Sequence, residues 1–127
     1  MPRFSAALLA HFKNPCNAGE MTSPSVIGEA DLGGRAPRMK LYLRVEEGRI
    51  RNASFQAFGC GVMIAAASAL VQVLQDTRLE DCRGLDAEYI VTVLGGVPED
   101  KAFCASIVVA ALEDALLRLD NSFAERS

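Results

Sequence analysis

The stretch between Met39 and Ser68 changes its period once, and that change governs what the chain can build. Met39, Leu41, Leu43 and Val45 alternate with Lys40, Tyr42, Arg44 and Glu46. This is the two-residue period of a strand with one buried face. Glu47-Gly48 reads as a tight turn, with glycine supplying positive φ. The return strand is expected over residues 50–58 and sets Ala53, Phe55 and Ala57 on one face, an alternation that Arg51 breaks. After Gly59 the spacing becomes helical, through Cys60, Ile64, Ala67, Val71 and Leu74. A hairpin therefore runs straight into a helix, and the junction holds a cysteine between two glycines.

The flanking segments follow from local signals. A short helix is expected over residues 5–12, stopped before Pro15. "NPCNAGEMTSPS" reads as loop, and "VIGEADLGGRAP" begins as a strand and breaks at Gly33-Gly34. Thr77 and Glu80 have capping-box spacing for a short helix that Gly84 ends. Asp86 caps another helix through Leu94, stopped by Gly95-Gly96. Pro98, Glu99 and Asp100 suit the first turn of a long last helix. Its apolar stripe is Cys104, Ile107, Val108, Ala111, Leu112, Ala115 and Leu119, and the tail from Asn121 is expected to fray. Strands in the first half and helices in the second predict an α+β fold, a small antiparallel sheet under helices, as one domain over residues 1–127.

Composition narrows the function classes. The net charge is −3, and no basic block interleaved with aromatics appears, so nucleic acid is not an expected partner. The longest apolar run, residues 62–73, is broken by Ser68 and Gln72 and is too short to span a bilayer, so no membrane is expected. The segment "MPRFSAALLAHFKNP" lacks the long apolar run and cleavage site of a signal peptide, which points to the cytoplasm. In that compartment four cysteines read as reduced, catalytic or metal-binding rather than disulfide-paired. None forms a CxxC pair, so spacing gives no metal signal by itself. No hydrolase, kinase or dinucleotide signature is present, so the chain does not read as an enzyme.

Each cysteine has two readings. Cys60 lies at a helix N-terminus, whose partial positive charge favours the thiolate, the form that binds soft metals. It also fits as a small hydrophobe opening an apolar stripe. Cys104 is placed about two turns into the last helix and heads its stripe, which favours a core role. Cys82, between Asp81 and Arg83, reads as structural. Cys16 sits in a loop, where an incidental cysteine is the plainer reading. His11, the sole histidine, has no evident partner and reads as a surface residue.

Taken in order, these segments resemble the iron–sulfur cluster assembly scaffolds of the IscU/NifU N-terminal type. "HFKNPCNAGEM" is similar to the family's opening helix and NPRN-G segment, with Cys16 at the usual arginine. "MKLYLRVEEGRIRNASFQAFGCG" is similar to its hairpin leading into a GCG loop, "IAAASALVQVL" to the next helix, and "LGGVPEDKAFCASIVVAALEDAL" to the last helix with its cysteine. The resemblance implies a three-stranded antiparallel sheet packed against helices. It implies a non-enzymatic scaffold or carrier that builds a [2Fe–2S] cluster from iron and from sulfur delivered by a cysteine desulfurase, then passes it to apo-protein acceptors. Zinc is a possible substitute metal. Cys60 and Cys104 match two of the family's three cysteines and are the implied metal ligands. The first cysteine aligns with Arg35, the aspartate with Pro37 and the histidine with Phe103. Gly96-Val97-Pro98-Glu99-Asp100-Lys101 replaces the LPPVK segment of the IscU branch, which is closer to the NifU branch.

Two thiolates are half of the usual four ligands. A homodimer, Cys16 as a third ligand, or an outside thiol would complete the set. The alternative is a cluster-free paralogue that binds or regulates the desulfurase machinery.

Overall fold

The structure, a computed structural model, describes residues 4–126, of which residues 122–126 are described as helix backbone only. Three strands, β1 (Val26–Leu32), β2 (Arg35–Glu46) and β3 (Arg49–Phe58), form an antiparallel sheet in the order β1-β2-β3. Helices α1 (Ala6–Lys13), α2 (Gly61–Leu74), α3 (Leu79–Cys82), α4 (Ala87–Val93) and α5 (Phe103–Arg126) complete the chain. The α+β architecture matches the expectation.

The β2–β3 hairpin turns at Glu47 and Gly48, both at positive φ (53° and 74°), the geometry that suits the right-handed twist of paired strands. Arg51 breaks the alternation because it is an extra residue. Val45 pairs with Ile50 while Arg44 pairs with Asn52, so the ladder skips Arg51. Ile50 and Ala53 then both reach the core although they are three positions apart.

Two helices cover the sheet. α2 is buried almost all round and uses alanines where neighbours come close. α5 crosses β1 at Gly28. A Cβ placed there would lie 2.2 Å from the Ala111 carbonyl oxygen and 2.7 Å from Ala115 Cβ. Strand and helix are thus in backbone contact, and only glycine fits. The Asp114 carboxylate on α5 also accepts the outward N–H of Glu29 on β1 (2.9 Å).

The opposite edge of the sheet is covered by loop backbone. Ala18 bridges to Phe55, and Arg78 bridges to Arg49. The Gln75 side chain accepts the Ala53 N–H at 2.7 Å.

Three local expectations need correction. Thr77 does not cap α3. Its hydroxyl donates to the Val73 carbonyl (2.7 Å), closing the end of α2, and Arg78 takes the cap position. Residues Glu99–Lys101 form a separate 3-10 turn, so α5 starts at Phe103. The missing N–H of Pro98 and the positive φ of Gly95 and Gly96 decouple this turn from both neighbouring helices. α5 continues through Arg126 rather than fraying from Asn121, while Ser127 lies outside the described residues.

Candidate functional site: the Cys60–Cys104 thiol pair

β3 ends at Phe58, Gly59 turns with φ 149°, and Cys60 becomes the N-cap of α2. The late start of α5 makes Cys104 its second residue, not one two turns in. Both sulfurs therefore stand at helix N-termini, close enough for each thiol to act on the other.

The two environments differ. Cys60 is exposed and Cys104 is fully buried. Partial burial of the Cys60 thiol pushes its pKa up, but this is outweighed by the backbone N–H groups of Met63 and Val62, the Cys104 thiol and the Lys101 ammonium. The net shift is down. Cys60 makes no capping hydrogen bond of the kind Ser5 makes to the Leu8 N–H, so these N–H groups act on the sulfur mainly through their dipoles. Cys104 is pushed up to about 12, first by burial and then by the neighbouring Cys60. The pair is thus a nucleophilic, metal-competent sulfur supported by a protonated one.

The surroundings are apolar. A cavity of about 270 Å3 opens beside Cys60, lined by Phe4, Leu8, Leu9, Phe12, Val62 and Lys101 among others. Phe12 is set against Gly61, where a Cβ would meet its ring at 3.0 Å. Phe58, Phe103 and Phe12 are each more than 40% exposed and precede or flank the two cysteines. Pro37 packs on Gly59, 3.1 Å from the place of a Cβ there, which brings this substituted position to the thiol loop.

The cationic charge acting on Cys60 is that of Lys101. Lys101 could have been suspected from its place three residues before Cys104. The exposed Phe12 had no signal in the sequence.

The remaining cysteines stay apart from this pair. Cys82 is buried in the core, its thiol pushed up to about 11 by burial and by Asp81. Cys16 is tethered through its N–H to the Ser68 hydroxyl at 2.8 Å. Ser68 lies eight positions beyond Cys60 on the same helix, about 12 Å along its axis. In this structure the Cys16 backbone is thus held at a distance from the pair. His11 is not a bare surface residue either: its Nδ1 lies 2.7 Å from the buried Ser68 Oγ. That oxygen also accepts the Cys16 N–H, so one buried hydroxyl ties the first loop and α1 to α2. Among the described residues, no group of three or more His, Cys, Asp or Glu side chains is placed to hold a metal ion.

A sheet feeding a thiol-bearing helix N-terminus, with a second thiol from the last helix, defines a class of small α+β proteins. Residues 3–124 match the profile of the NifU-like N-terminal domain, and the chain belongs to that family. It is 27% identical over 114 residues to the iron-sulfur cluster assembly scaffold protein IscU 1 of Archaeoglobus fulgidus, covering 90% of this chain and 74% of that protein. It is 35% identical over 104 residues to the nitrogen fixation protein NifU of Azotobacter chroococcum mcd 1, covering 80% of this chain but only 34% of that longer protein. The crystal structure of the N-terminal part of a nitrogen-fixing NifU-like protein from Brucella abortus superposes with a TM-score of 0.75 at 16% identity, over 92% of this chain and 94% of that one. That likeness carries the fold. No helix among the described residues is long and apolar enough to cross a membrane.

Proposed function

We propose that this chain is an iron–sulfur cluster assembly scaffold or carrier in which Cys60 and Cys104 hold the cluster as cargo. The observation that carries this reading is the thiol pair itself, one exposed sulfur with lowered pKa beside a buried one, in a member of this family. Iron and sulfur from a cysteine desulfurase are the inputs, and apo-protein acceptors take the product. A second copy meeting this one at the Phe12, Phe58 and Phe103 rim supplies the other two thiolates. Residues 1–127 act as one scaffold domain.

The test is anaerobic reconstitution with iron, cysteine and a desulfurase, measuring iron, zinc, acid-labile sulfide and the visible spectrum. Matched iron and sulfide shared by two chains is expected, lost in folded Cys60→Ser and Cys104→Ser. Folded wild-type protein without iron or sulfide refutes it. The lack of a third donor near the pair favours a second reading, a cluster-free partner of the desulfurase machinery. That reading requires a desulfurase complex that survives loss of both cysteines.

A further inference from the structure

A cavity of about 740 Å3 lies where the β2–β3 turn meets α3 and has no part in the thiol site. It is lined by Arg49, Arg51, Arg78 and Arg83, against two acidic side chains, Glu47 and Glu80. The volume falls within the range of small-ligand sites, about 300–1,000 Å3.

Backbone geometry concentrates the charge. Arg49 and Arg78 form an antiparallel bridge. Its hydrogen bonds run from the Ile50 N–H to the Thr77 carbonyl (2.8 Å) and from the Leu79 N–H to the Gly48 carbonyl (2.9 Å). These bonds flank the pair, which makes it a non-hydrogen-bonded pair, with Cα atoms about 4.5 Å apart and side chains on one face. Like charges set directly opposite repel. The bulge adds Arg51 to the same group.

The protein's own counter-charges are exposed and partly shared. The Asp76 carboxylate serves two arginines, at 3.2 Å from Arg51 and 4.0 Å from Arg49, and Glu46 stands 3.8 Å from Arg51. Glu80 stands 3.5 Å from Arg78, both well exposed. Exposed pairs of this kind contribute little and exchange readily. Arg83 is held in place by two bonds to Asp120 on α5 (2.8 and 3.1 Å). Each guanidinium carries five N–H donors, a fork that suits phosphate oxygens.

We propose that this basin binds an oligophosphate, either free pyrophosphate or the phosphate chain of a nucleotide, between the guanidinium groups of Arg49, Arg51, Arg78 and Arg83. One bridging anion relieves the Arg49–Arg78 repulsion and matches the spread of donors better than separate carboxylates do.

The test is calorimetric titration of the full chain at low ionic strength with sodium pyrophosphate and, separately, with ATP, alongside amide NMR spectra. Saturable one-site binding is expected, with shifts at residues 47–51 and 78–83. Arg49→Gln and Arg78→Gln should each weaken it by about tenfold, the loss of one charge-assisted bond. Lys40→Gln, six residues along β2 from the Glu46 that pairs with Arg49 and so about 20 Å away, should leave it unchanged. Arg78 is well exposed, so its variant keeps the test open if Arg49→Gln, which loses a bond to the Asp76 carbonyl (2.6 Å), does not fold. Equal affinity for the two anions assigns the site to the phosphate chain alone, and tighter ATP binding extends it to the nucleoside. No saturable signal with either anion, or equal weakening by Lys40→Gln, overturns the proposal.

Discussion

Gly28→Ala tests the packing that carries Cys104 to its place. The new Cβ would lie 2.2 Å from the Ala111 carbonyl oxygen and 2.7 Å from both Cβ and N of Ala115. Ordinary carbon contacts need about 3.5–4.0 Å, so β1 and α5 must separate by about 1 Å. Overpacking typically costs about 1–3 kcal/mol, and the obstacle here is helix backbone, which cannot rotate away. Alanine also restricts the unfolded chain, which returns about 0.4–1 kcal/mol. The expected net loss is about 2 kcal/mol. At about 2.1 cal/mol/K per residue, a chain of 127 residues has an unfolding entropy near 0.27 kcal/mol/K, so Tm should fall by about 7 °C. Thermal melting followed by circular dichroism reads this directly. Adding Ala115→Gly removes one obstacle but leaves the Ala111 carbonyl, so recovery should be less than half. A Gly28→Ala protein melting within about 2 °C of the parent would show that strand and helix are not in backbone contact, and the argument for Gly28 would fall.

The other predictions concern the polar and thiol chemistry. In the native protein, iodoacetamide should label Cys60 at least a hundredfold faster than Cys104 or Cys82, because those two thiols are buried and pushed up to about 12 and about 11; mass spectrometry of timed samples checks this, and comparable rates refute the division of roles. Ser68→Ala strands the Cys16 N–H and His11 Nδ1 in a part-buried site, so urea unfolding should show a loss of about 2–3 kcal/mol. Burial holds the His11 pKa below its ordinary 6.5. The unfolded chain therefore binds a proton more readily, and the contribution of His11 to stability is full above pH 6.5 and lost as pH falls through the lowered value. Urea midpoints from pH 7.5 down to about 5 should fall in the parent and flatten in His11→Gln; identical slopes would remove His11 from the account.

Much of this fold was legible in the sequence because strand and helix periods are local. The Met39–Val45 alternation, the Glu47-Gly48 turn and the Asp86 cap all rest on neighbouring residues, and each stands where it was expected. One misreading is local, and the others involve partners far apart in sequence. Thr77 carries a capping pattern, but the end of α2 claims its hydroxyl first. His11 found its partner 57 positions away, in a serine that reads as one more small residue of an alanine-rich helix. Arg51 looked like a flaw in a strand; only its partner strand shows that it is an inserted residue. At the candidate site, Cys60 was visible from its place at a strand-to-helix junction, and Cys104 from the resemblance alone. The cation acting on Cys60 was not, because Lys101 reaches it through the fold of a 3-10 turn.

The occupied edges of the sheet limit how this molecule can associate. On β1 the Glu29 N–H is taken by Asp114. On β3 the backbone of Ile50, Ala53 and Phe55 is engaged by Thr77, Gln75 and the Asn17–Gly19 segment. A strand from another chain would have to break these bonds before it could add to the ladder. Self-templated pairing, the route from sheet to fibre, is therefore opposed by loop backbone at β3 and by a helix carboxylate at β1. Encounters between copies are left to side chains, where contact is reversible.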